Sequence, residues 1–140
     1  MRKRCRRIHR PVLLPLGMKR LTELEIAPRM CVESIGQPWM SLDHIYQIGA
    51  SALLAMEIAT MRNDVTARDS AMSVLDAVRQ LEDLHARVAL SALTDGDREA
   101  MQRKVCRMID WISQQRNQDV DSASRRLVAA HDRISRQAGS

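Results

Sequence analysis

The sequence predicts an all-α protein: a compact bundle of four to five helices behind a basic, mostly irregular N-terminal arm. Three observations carry this expectation. The 140 residues contain no Phe, and Trp39, Tyr46 and Trp111 are the only aromatics. A core must therefore be assembled from Leu, Ile, Val, Ala and nine Met, side chains that suit helix-on-helix contacts. Five Gly and four Pro are too few for the frequent turns of an all-β chain. Charge is also unevenly placed: residues 1–20 hold eight of the 22 basic residues and none of the 17 acids, which leaves 14 basic against 17 acidic residues, a balance of −3, in the remainder. The overall charge of +5 thus belongs to the arm, residues 1–20, and not to the bundle domain expected over residues 21–140.

The first helix is expected at Pro28 to Ile35, because Pro in a first turn and Gly36 after the last residue are preferred helix punctuation. LTELEI before it adds either a further turn of helix or an extended segment. GQPW then forms a loop, Pro38 forcing its predecessor out of helical geometry.

SLDHIYQIGASALLAMEIATMRN reads as the second helix, with Ser41 as its N-cap. No Lys or Arg occurs between Met30 and Met61, and only Glu33, Asp43 and Glu57 are acidic there. A helix so nearly apolar all round is either central in a bundle or covered by another subunit. Gly49, Ala52, Ala55 and Ala59 would let a neighbouring helix come close.

The third helix is expected from about Thr66 to Ser91, with Met72, Leu75, Val78, Leu81, Leu84, His85, Val88 and Ala92 as its inward stripe. TDGD at 94–97 is a capped start, Thr94 bonding back three residues on, with Asp97 in the acidic position of a capping box. The fourth helix carries Met101, Val105, Met108, Ile109 and Ile112 on one face. NQDVDS reads as a break, after which Asp119 or Asp121 caps a fifth helix with a thin stripe of Leu127, Ala130, His131 and Ile134. So thin a stripe marks the element that frays or docks on a partner.

The catalytic inventory is sparse. Glu82 and His85 form one Glu-x-x-His pair, with Glu57 as an extra carboxylate, but a di-metal carboxylate site in a bundle requires two such pairs. His85 lies on the apolar stripe and reads as a hydrogen-bonded core histidine. His131-Asp132 reads as a surface dipeptide, since no later Asp completes a phosphohydrolase-type ligand set. Cys5, Cys31 and Cys106 are odd in number and include no CxxC, which argues against a disulfide framework or a zinc finger and points to a reducing cytoplasm. Cys31 and Cys106 read as small core side chains. There is no activated-serine motif, no phosphate-cradling loop and no convincing DNA-reading helix. No cofactor is expected, and no enzymatic activity. No window approaches the 18 apolar residues of a membrane span.

The arm is the remaining lever. Arg2, Lys3, Arg4, Arg6, Arg7 and Arg10 are the candidate binding residues, for phosphates of a nucleic acid or for an acidic protein surface. With no aromatics interleaved, base stacking is excluded, so nucleic-acid binding through the arm would be electrostatic and salt-sensitive. A solubilising leader is the third reading. The basic run before PVLLPLGM imitates a signal peptide, but its apolar part is short, is broken by Pro11 and Pro15, and lacks a small-x-small cleavage site. Met18 is a second candidate start.

The order of features carries a resemblance. RRIHRPVLLP leads to a short helix ending at a Gly-containing turn, then to a helix rich in small residues, then to LTDGDREAM opening a helix, and last to an Arg-rich helix. This is similar to small uncharacterised helical proteins encoded by phages and prophages of proteobacteria. The resemblance implies a setting only: the bacterial host cytoplasm, a mobile-element gene and a non-enzymatic accessory role. The 19 Arg to three Lys agree with a GC-rich genome. From the residues themselves, the expected activity is binding of a host or phage protein, or self-association, through the apolar second helix and the fourth and fifth helices. A nucleic-acid-binding accessory role through the arm is the alternative.

Overall fold

The computed structural model describes residues 22–139. All its regular structure there is helical, with no strand: a π-helical turn at Thr22–Ile26, then α1 (Ala27–Val32), α2 (Leu42–Met61), α3 (Val65–Ala86), a 3-10 turn at Leu90–Ala92, α4 (Asp95–Ser113) and α5 (Asn117–Ala138). The five helices fall within the four to five expected. The basic arm, with Arg2, Lys3, Arg4, Arg6, Arg7 and Arg10, lies outside the described residues.

TELEI adopts the helical alternative and packs on α4 with α1. Pro28 sits in the first turn of α1 and is buried. α1 ends at Val32, three residues earlier than its spacing suggested, because Ser34, Ile35 and Gln37 close successive i→i+3 turns instead. Ser34 is fully buried and its hydroxyl donates to the Cys31 carbonyl at 2.5 Å, competing for the acceptor that a continuing helix would use. Gly36, at φ 77°, turns the chain where a side chain would press on Arg98 at 3.2 Å.

Ser41 caps α2 as expected, its hydroxyl accepting from the His44 amide at 3.3 Å. His44 occupies the position that Glu or Gln fills in an ordinary capping box: its Nδ1 accepts from the Ser41 amide at 2.9 Å. The Trp39 ring stands edge-on to the His44 ring, 5.8 Å between centroids.

α2 is the central element, packed on α1, α3, α4 and α5. It buries Ile45, Ile48, Gly49, Ala52, Leu54, Ala55, Ile58 and Ala59. The contact with α3 is the most extensive in the fold, and small residues make it close: a Cβ on Gly49 would stand 3.5 Å from Val78. Because positions 49 and 78 lie almost equally far from the Arg62–Asp64 connection, α2 and α3 form an antiparallel hairpin.

The inward face of α3 is rotated from the expected stripe. Ala71, Val74, Ala77, Val78 and Leu81 are buried, Leu75 and Leu84 are half-buried, and Met72 is exposed. Small side chains win the contact because α2 approaches closely; periodicity favours the larger ones. α3 also stops at Ala86, not Ser91. The Val88 and Ala89 amides donate back to the carbonyls of His85 and Leu84 at 3.1 and 2.8 Å, a Schellman closure with Val88 at φ 54°. Val88 is 93% exposed and Leu90 enters the core in its place.

α4 starts at Thr94, whose hydroxyl accepts from the Asp97 amide at 3.1 Å, and its buried residues are the five expected: Met101, Val105, Met108, Ile109 and Ile112. The break before α5 is shorter than expected and lies at 114–116, so NQDVDS is helical. Buried Gln115 closes α4 by donating to the Trp111 carbonyl at 2.8 Å and accepts from the Arg62 guanidinium. Arg116 is the N-cap residue of α5, without a side-chain cap bond. Asp119 lies in the first turn, where its charge suits the helix N-terminus.

Candidate interaction surface

α2 buries three of its sides and bares the fourth. Leu42, Tyr46 and Leu53 are 40%, 56% and 47% exposed, and Ala50 is exposed between them. At 3.6 residues per turn these four, with Glu57 and Thr60, fall within an arc of roughly 80°. The stripe is apolar along most of its length and carries charge only at its ends, from Asp43 and Glu57.

α5 explains why the stripe is bare. Its chief packing partner is α2, against which it runs antiparallel: Arg62 meets Gln115, and Glu57 meets Arg126 at 3.6 Å. Val120 and Ala123 are buried and Leu127 is half-buried in that contact. Past Ala130 every described residue of α5 is exposed, including Ile134 at 66%. The helix departs from α2 there and projects. Ile134 is about two turns beyond Leu127 on the same face, so an apolar contact begun at Val120 is left unfinished on both helices. Where they part, Arg126, Leu127, Ala130, Arg133 and Arg136 with Glu57 line an open groove of about 620 Å³.

The expected stripe of α5 is therefore split. Leu127 docks, Ala130 is half-buried, and His131 and Ile134 stand in solvent. The composition of α2 makes it apolar nearly all round but does not separate its bare arc from its buried ones. The signal was present in the i, i+4, i+8, i+11 spacing of Leu42, Tyr46, Ala50 and Leu53.

The other candidate residues are dispersed. Glu82 is exposed on α3; His85 is half-buried at the bundle edge, beside Pro38, Met40, Val88 and Leu90, and not in the core as its place on the stripe suggested. The rotation of α3 that brings Ala71 and Ala77 inward moves His85 out. Glu57 is committed to Arg126 of α5. Among the described residues, no three His, Cys, Asp or Glu are grouped to hold a metal ion. His131 Nδ1 lies 4.0 Å from Asp132, both exposed on the projecting end of α5. Cys31 is buried and its thiol is pushed up by desolvation, whereas Cys106 is only half-buried. Arg29 hydrogen-bonds Asp110, which raises its guanidinium above the usual arginine range and ties α1 to α4. No helix of the described residues is long and apolar enough to cross a membrane. The six arm residues lie outside the described residues, so their positions relative to the α2–α5 face are not part of this geometry.

No protein-family model, curated protein or solved structure matches the chain.

Proposed function

We propose that this chain is a non-enzymatic interaction protein of the bacterial cytoplasm, encoded by a phage or other mobile element, and that it works by docking a protein on its α2–α5 face. The observation that carries this reading is the bare arc Leu42, Tyr46, Ala50 and Leu53 beside the projecting end of α5. Isolated apolar residues on a surface are ordinary; a contiguous arc with charge only at its rim resembles the core-and-rim pattern of interfaces. Tyr46 supplies the broad, amphipathic anchor that such surfaces favour. The partner is a host or phage protein, or the chain itself. A photo-crosslinking residue at position 46 in the full-length chain, expressed in bacterial cells, tests the reading. Crosslinked adducts that vanish when Leu53→Asp is added support it, and the absence of any adduct counts against it.

The second reading, an accessory factor that binds nucleic acid, rests on a separate observation. Eight basic and no acidic residues stand in positions 1–20, with Arg2, Lys3, Arg4, Arg6, Arg7 and Arg10 leading. Binding would weaken steeply with salt and show little sequence preference. DNA and RNA titrations at several salt concentrations, with and without residues 1–17, test it: binding that survives the deletion removes the arm from this role.

A further inference from the structure

The α2–α5 face has a shape and charge pattern that fit it to a second copy of itself. Helix α5 carries Val120, Ala123, Leu127 and Ile134 on one face, interrupted by His131, and the last of the four has no seat within the chain. Helix α2 presents an arc, Leu42, Tyr46, Ala50 and Leu53, with no cover. The two faults have one cause, the departure of α5 from α2 beyond Ala130, and they are complementary: one protomer has the unseated helix and the next has the empty seat.

Charge points the same way. Along α2 itself the arc carries only carboxylates, Asp43 and Glu57, the second already paired with Arg126 of α5, and no Lys or Arg occurs on the helix. The projecting end of α5 carries Arg133 and Arg136 along the groove against a single acid of its own, Asp132, so it is positive on balance. Neither makes an ion pair among the described residues, and Asp43 makes none there either. Within one chain the same kind of pair already forms, Arg126 of α5 with Glu57 of α2 at 3.6 Å. Opposite signs placed on the two halves of one surface favour an isologous contact, since residue i meets j and j meets i.

We propose that two copies of this chain form a two-fold dimer in which the projecting end of each α5 lies across the α2 arc of the other. Ile134 seats against Tyr46 and Leu53, and Arg133 and Arg136, on the groove side of the helix, bring positive charge to the Asp43 end of the partner's arc. The four helices α2 and α5 of the pair then make a small bundle that completes the interrupted contact in each protomer. This rests on the reading of the α2–α5 face as a docking surface and names its occupant.

Sedimentation equilibrium of the full-length chain over a wide concentration range is the test, alongside the variants Ile134→Asp, Tyr46→Asp, Arg133→Glu/Arg136→Glu and Asp43→Arg. All five positions are exposed, so circular dichroism should show the folded helical content unchanged. The expected result is a concentration-dependent dimer whose Kd rises by about tenfold or more in each variant, in the manner of central interface residues. Combining Asp43→Arg with Arg133→Glu/Arg136→Glu should recover part of the loss. A chain that stays monomeric at every concentration, or a dimer indifferent to Ile134→Asp and Tyr46→Asp, overturns the proposal. A strict monomer that still gives Leu53-dependent crosslinks from position 46 to another protein overturns the dimer and leaves the docking reading standing; a strict monomer without them removes both.

Discussion

Asn63 and Val88 hold the same backbone conformation, φ 54° in each, one at the end of α2 and the other at the end of α3. Both close their helices in the same way. The residue after each donates its amide to a carbonyl five residues back, Asp64 to Ala59 at 2.9 Å and Ala89 to Leu84 at 2.8 Å. Asn tolerates this left-handed geometry. Val, branched at Cβ, does not, and the strain is of the order of 1–2 kcal/mol. Nothing compensates for it through packing, since the Val88 side chain is almost wholly in solvent.

Val88→Gly should therefore stabilise the protein, by about 1 kcal/mol once glycine's greater freedom in the unfolded chain is set against the strain removed. In thermal unfolding this corresponds to a rise in Tm of about 4 °C for a chain of this size. Asn63→Val, its mirror experiment, should lower Tm by a similar amount.

Cys31 predicts a pH dependence. Burial raises its thiol pKa in the folded protein, so the unfolded chain loses that proton first as pH rises. Stability contributed by the protonated thiol is whole below the unfolded value, near pH 8.5, and declines above it. Urea unfolding at a series of pH values should show this decline setting in above about pH 8.5, and Cys31→Ala should flatten it. In the folded protein, peptide mapping after brief alkylation should find Cys106 labelled ahead of Cys31, because the first is half-buried and the second buried.

Ile58 and Leu53 lie on the same helix with opposite fates. Ile58 is fully buried at the centre of the bundle, and Ile58→Ala should cost about 2–5 kcal/mol. Leu53→Ala, on the bare arc, should change the stability of the monomer by less than about 0.5 kcal/mol. Denaturant unfolding at low protein concentration separates the two; equal losses would mean that the arc is covered within the chain.

Gln115 links three helices. It is buried between α4 and α5, donates to the Trp111 carbonyl and accepts from Arg62 at the end of α2. Gln115→Ala strands the Arg62 interaction and opens the turn, at a cost of about 1–3 kcal/mol. Amide exchange should rise first at the start of α5, whose seat on α2 this residue fixes.

Much of the bundle was legible along the chain. α4 is the clearest case: Thr94 caps it and its five buried residues stand at helical spacing with charge elsewhere, so one face is unambiguous. Ser41 announced the start of α2, although the histidine that completes its capping box was not recognised, because His44 stands where Glu is usual. The inward face of α3 was misjudged toward Met72 and Val88. Hydrophobicity alone favours those side chains, and it takes the close approach of α2 at Gly49 to select Ala71 and Ala77 instead. The arc on α2 was invisible for a related reason. Periodicity identifies a helix that is apolar on every side but does not say which side its neighbours leave open.

The sequence by itself determined the helical class, the caps at Ser41 and Thr94, the core face of α4, and a basic arm set apart from a slightly acidic remainder. These follow from local spacing and local hydrogen bonding, which act over a turn or two of chain. Only the tertiary structure decided which residues of α2 and α3 meet, where Gln115 joins α4 to α5, and that α5 leaves α2 beyond Ala130. Those depend on how closely whole helices approach one another, a property of pairs of surfaces that no single helix's periodicity contains.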